Sequence, residues 1–102
     1  MVNNLKEIIS HSMAFIEDDY TELWVIANKV QEENPELNFK EVIEATKEVV
    51  RELVIKNNVK ILDEDSQKPM NLSLTEILKL VESKFKTLSK MPNIGDGIWF
   101  TI

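Results

Sequence analysis

The stretch Asn38-Phe39-Lys40-Glu41-Val42-Ile43-Glu44-Ala45-Thr46-Lys47-Glu48-Val49-Val50-Arg51-Glu52-Leu53-Val54-Ile55-Lys56-Asn57-Asn58-Val59-Lys60-Ile61-Leu62 sets the fold class. Asn38 with Glu41 three residues on is the spacing of a capping box. Phe39, Val42, Ile43, Thr46, Val49, Val50, Leu53 and Val54 then recur at helical spacing. The opposite face carries Lys40, Glu44, Lys47, Glu48, Arg51, Glu52 and Lys56. Asn57-Asn58 is a stop, because Asn tolerates the left-handed conformation. Val59 to Leu62 is short and β-prone, which predicts a strand. A long amphipathic helix running into a strand is a mixed α and β plan.

The chain before this stretch reads as two further helices. Asn4 and Glu7 have capping-box spacing, and Leu5, Ile8, Ile9, Met13 and Ile16 follow at helical intervals, predicting a helix over 5–17. Glu17-Asp18-Asp19 reads as a turn and the start of a second helix, with Asp19 and Glu22 repeating the cap-and-acid spacing. Leu23 to Ala27 are consecutive apolar residues followed by Val30, so this helix is expected to be buried on more than one side. Asn34-Pro35 ends it.

After the stretch comes a polar loop, residues 63–69, then Ser73 and Glu76 as a further capping box. Leu74, Ile77, Leu78, Val81, Phe85 and Leu88 lie on one face of a fourth helix. A loop over 91–97 leads into Ile98-Trp99-Phe100-Thr101-Ile102, a β-prone run. Two strands separated by one helix most simply pair with each other, and so small a sheet needs helices against it. The reading is α+β and mainly helical, with about four helices and a small two-stranded sheet, in a single domain over residues 1–102.

The residue inventory excludes several function classes. The 102 residues contain no cysteine and one histidine, which removes disulfides, thiolate chemistry and multi-histidine metal sites. The two glycines fall together in Gly95-Asp96-Gly97, so there is no glycine-rich phosphate loop, and a tight turn is the reading there. No run approaches the ~18 apolar residues of a membrane span, and the first residues do not read as a signal peptide. A cytoplasmic location is therefore expected.

Charge is unevenly placed. The net charge is −6, and residues 1–36 hold two bases against eight acids, a net of −6 by themselves. Such a lobe repels phosphate backbones and attracts basic partners, though it also serves solubility. Glu17, Asp18, Asp19 and Glu22 exceed what helix capping requires, so a partner-facing patch is expected there. Ser10-His11-Ser12 are adjacent on one helix, which does not aim a nucleophile and a base at each other. Asp63-Glu64-Asp65 lacks the spacing and glycine of a calcium loop. No catalytic residue, metal site, cofactor or small-molecule ligand is expected. Trp24 and Trp99 have apolar neighbours and are expected in the core, although tryptophan is also enriched at interface hot spots.

Two resemblances follow. The segment Val49 to Ile61 is similar to the end of a winged-helix third helix running into its strand. That resemblance implies a third helix entering the DNA major groove, with Lys40, Lys47, Arg51 and Lys56 as the contacts. The exposed face mixes acids with these bases, and a fourth helix stands where a second wing strand should follow at once. A winged-helix-like shape without direct nucleic-acid binding suits the charges better. The Leu23–Val30 helix, the Phe39–Lys56 helix running into Val59–Leu62, and the closing Gly97-Ile98-Trp99-Phe100 resemble bacterial immunity proteins of contact-dependent growth inhibition systems. That resemblance implies a cytosolic antitoxin that binds and masks a basic toxin, such as a nuclease domain, without catalysis. The contact acids expected on this reading are Glu17, Asp18, Asp19, Glu22, Glu32 and Glu33, with Asp63, Glu64 and Asp65 as a second patch.

Overall fold

Helix α3, Phe39–Asn57, is the spine of the molecule and packs against three other helices: α1, Leu5–Asp18, α2, Leu23–Glu33, and α4, Leu74–Leu88. The computed structural model describes residues 4–62, 66, 68–88, 90 and 98–102. Among these are also three short strands: β1, Thr21–Glu22, β2, Lys60–Leu62, and β3, Trp99–Thr101. The expected patch at Asp63, Glu64 and Asp65 and the expected turn at Gly95-Asp96-Gly97 lie outside the described residues.

The local signals of α3 and α4 work as read. The Asn38 side chain accepts the Glu41 N–H at 2.9 Å, and the Glu41 carboxylate accepts the Asn38 N–H at 3.0 Å. Ser73 and Glu76 repeat this at α4, at 3.2 and 3.0 Å. Asn58 ends α3 at φ 54°, in the left-handed region that Asn tolerates better than other side chains with a Cβ. The Val59 N–H then reaches back to the Leu53 carbonyl at 3.2 Å, and the chain leaves directly into β2.

Three expectations need correction. The first is the start of α1. Asn4 sits at φ 59° and makes no side-chain cap, because a capping side chain requires extended backbone at that position. Its amide instead donates to Glu33 at 2.8 Å and ties the start of α1 to the end of α2. The second is the segment after α1. Asp18 closes α1, and Asp19 is extended, with its carboxylate accepting the Tyr20 N–H at 2.7 Å. Thr21 and Glu22 then form a strand rather than a helical cap, and α2 starts only at Leu23 without a side-chain cap.

The third correction follows from the second: the sheet has three strands, not two. Its order is β1-β3-β2, with both pairings antiparallel. Phe100 lies opposite Thr21 on one side and Ile61 on the other. The Leu23 N–H bonds to the Ile98 carbonyl at 2.8 Å, so the ladder runs into the first residue of α2. On the outer edge of β2, Met70 donates to the Ile61 carbonyl at 2.7 Å and Pro69 bridges Leu62, which covers part of an edge that would otherwise invite pairing.

The core lies between the sheet and the four helices. It joins Ile8 and Ile16 of α1, Ile26 and Val30 of α2, Val49, Val50 and Leu53 of α3, Val81 and Phe85 of α4, and Phe100 of β3. No helix among the described residues is long and apolar enough to cross a membrane.

Glu82 locks α4 onto α3. Its carboxylate meets Lys47 of α3 at 2.7 Å and Lys86 of its own helix at 3.0 Å. Hydrogen bonds from these two lysines, and then their charge, bring the Glu82 carboxyl down from 4.5 to about 2. A carboxyl depressed on folding stabilises the fold above its unfolded value, and that contribution is lost as pH falls through the folded value. Glu82→Gln should therefore lower Tm by a constant amount above pH 4.5, and the gap to the unmodified protein should close as pH drops to about 2. Thermal melts across this range test it. A gap that persists undiminished at the acid end contradicts the role given to the Lys47–Glu82 contact.

Candidate functional site

The site is built where the end of α1, the strand β1 and the outer face of α2 meet the first residue of β3. Phe15 leaves the apolar stripe of α1, and Tyr20 follows the acids that close that helix. Both are 49% exposed, well above what large rings keep when they serve only a core. Trp24, on the first turn of α2, and Trp99, at the start of β3, are half-buried. His11 completes the set, with its ring centroid 5.0 Å from that of Phe15 at a tilt of 56°. These five rings line one open groove of about 470 Å³. The expectation that both tryptophans belong to the core is thereby corrected. Both line the groove, and neither belongs to the central apolar cluster.

The predicted acids are partly gathered at this place. Glu22 and Glu32 line the groove together with Lys29. Glu17, Asp18 and Asp19 are exposed and fall between Phe15 and Tyr20, each within two residues of a groove ring. Glu22 is buried at the β1–α2 junction, opposite Trp99. Glu33 faces inward: its side chain is 18% exposed and meets Lys29 at 3.4 Å as well as Asn4. The hydrogen bond from Lys29, outweighing partial burial, holds the Glu33 carboxyl below its ordinary value. Burial opposes the charge of Lys29, but hydrogen bonding to Glu33 and the charges of Glu32 and Glu33 raise it overall. Glu33 thus holds α1 and α2 together, whereas Glu32, with a side chain 71% exposed, points outward. The chain matches no protein-family model, no curated protein and no solved structure.

The remaining constellations offer little chemistry. Ser12 is fully buried with its hydroxyl unpartnered, while Ser10 is exposed, so the two hydroxyls beside His11 point to different surroundings. Among the described residues, no group of three or more His, Asp or Glu side chains is placed to hold a metal ion. A larger open groove, about 630 Å³, runs between the end of α3, β2 and residues 69–72, and among the described residues that line it the one ionisable side chain is Lys60. The basic face of α3 is partly spent within the fold: Lys47 is bonded to Glu82 and Glu44, and Lys56 to Glu52 at 3.4 Å.

Phe15 and Tyr20 were missed in the sequence reading. The available signal was that Phe15 falls off the stripe of α1, and that Phe15 and Tyr20 bracket the acid cluster.

Proposed function

We propose that this chain is an immunity protein, an antitoxin that acts in the bacterial cytoplasm by binding a basic toxin domain and masking its active region. The observation that supports this reading most is one surface on which half-exposed rings and carboxylates converge. Interface hot spots are built from aromatic side chains inside a polar rim, and unlike charge on the two partners speeds their encounter. A nuclease domain carries a basic cleft for its substrate, and an acidic ligand with aromatic anchors is suited to occlude it. No bond is made or broken in such a mechanism, which accords with the thin inventory of reactive groups. The order α1, α2, α3 and β2, with β3 returning antiparallel beside β2, supports a winged-helix-like scaffold in which α4 takes the place of a wing.

The alternative of a DNA-binding regulator draws less support. α3 is packed by α1, α2 and α4, and Lys47 and Lys56 are paired with acids, which leaves Lys40 and Arg51 interleaved with glutamates. A major-groove helix needs a wider basic footprint than that.

The partner to use is the C-terminal domain of the product of the gene immediately upstream. Asp18→Lys/Asp19→Lys should slow association with that domain by about tenfold at low salt, with a smaller difference at high salt. Stopped-flow association rates measure this. Equal rates for both proteins at low salt remove the acidic cluster from the interface.

A further inference from the structure

We infer that the groove between α1, α2 and β3 takes up an arginine side chain of the partner, with the guanidinium stacked on the rings and its N–H groups directed to Glu32. The inference rests on the proposed binding role for the partner's basic character, and on the groove itself for the rest.

A cation is drawn to the face of an aromatic ring by the ring's quadrupole, and Trp is the strongest such ring. Trp24, Trp99, Tyr20 and Phe15 line one opening, so a side chain entering it meets several ring systems together. The carboxylates at the same opening, Glu22 and Glu32, outnumber its one lysine, Lys29, among the described residues. Lys29 is held closer to Glu33, at 3.4 Å, than to Glu32, at 3.6 Å, and Glu33 is the more buried of the two acids. Glu32, although ion-paired to Lys29, keeps a side chain 71% exposed. The exposed acids at 17–19 lie in sequence between Phe15 and Tyr20 and add negative charge beside these two residues. Arginine fits this combination better than lysine. Its guanidinium is planar, stacks on rings and sheds water more easily, while its N–H groups bond a carboxylate in parallel.

The chain has two tryptophans and both line the groove, so intrinsic fluorescence reports on this site alone. The probes are the peptide acetyl-Gly-Arg-Gly-Arg-Gly-amide and the same peptide with lysine or citrulline in place of arginine. The expected result is a saturable change in tryptophan emission with the arginine peptide, weaker binding of the lysine peptide and none of the citrulline peptide. Phe15→Ala and Glu32→Gln, each checked for native circular dichroism, should raise the Kd of the arginine peptide roughly 2- to 30-fold. No saturable change, equal binding of the citrulline peptide, or unaltered Kd in both variants overturns the inference. Arginine uptake without protection of growth against the upstream toxin domain keeps the groove assignment and removes the toxin. Protection without arginine uptake does the reverse.

Discussion

Phe15→Ala/Tyr20→Ala is expected to remain folded and yet to bind the toxin domain roughly 30- to 1,000-fold more weakly, the range of two to four kcal/mol typical of hot-spot truncation. Both rings are 49% exposed and neither belongs to the central apolar cluster. Truncation therefore removes only part of each ring's burial from the fold, about 1 kcal/mol apiece. In the complex the same rings would be desolvated fully, which is where large truncation effects arise. Titration calorimetry gives the affinity, and circular dichroism at the same temperature shows that the fold persists. A Kd within threefold of the unmodified protein would move the interface away from this groove.

Phe100→Ala should act in the opposite way, on the fold before the interface. Phe100 is fully buried on the central strand and lies opposite residues of both β1 and β2. Removing a buried phenyl ring costs about 3–5 kcal/mol, the lost transfer energy plus the cavity. A protein of this size has about 5–15 kcal/mol in all, so the substitution consumes much of it. The urea midpoint should fall by about a fifth or more with little change in the slope m. β1 should loosen with it, because two residues paired only to β3 have no other ladder to hold them. A midpoint close to that of the unmodified protein would contradict the role given to Phe100 on the central strand.

What could be read from sequence divides along physical lines. α3 and α4 were legible because their determinants are local: Asn38 with Glu41, Ser73 with Glu76, and a sustained apolar period. β2 and its pairing with β3 were legible because β-prone residues stand together after a clear helix stop. β1 was not, since two residues are too short to show alternation, and Thr21 and Glu22 are strand only because β3 comes from far along the chain to pair with them. The Asn4 cap failed for a similar reason. A tertiary partner, Glu33, competed for its side chain, and the left-handed backbone removed the capping geometry.

The candidate site was legible in charge and illegible in shape. Glu17, Asp18, Asp19 and Glu32, expected as contact acids, are exposed. Glu33 was counted among the contact acids, but the four-residue spacing from Lys29 already pointed to an internal pair. The groove itself depends on Trp99 of β3 and Trp24 of α2 meeting at one opening. No local pattern encodes that meeting. Apolar neighbours in sequence placed both tryptophans in the core, because sequence shows which residues are apolar and not which of their sides another element covers.

The most direct measurement is growth of cells that express the C-terminal domain of the upstream gene product, alone and together with this protein. An immunity protein predicts arrested growth with the domain alone and restored growth with both, with restoration reduced in Asp18→Lys/Asp19→Lys. A domain that is harmless alone, or that arrests growth equally in the presence of this protein, would contradict the antitoxin function.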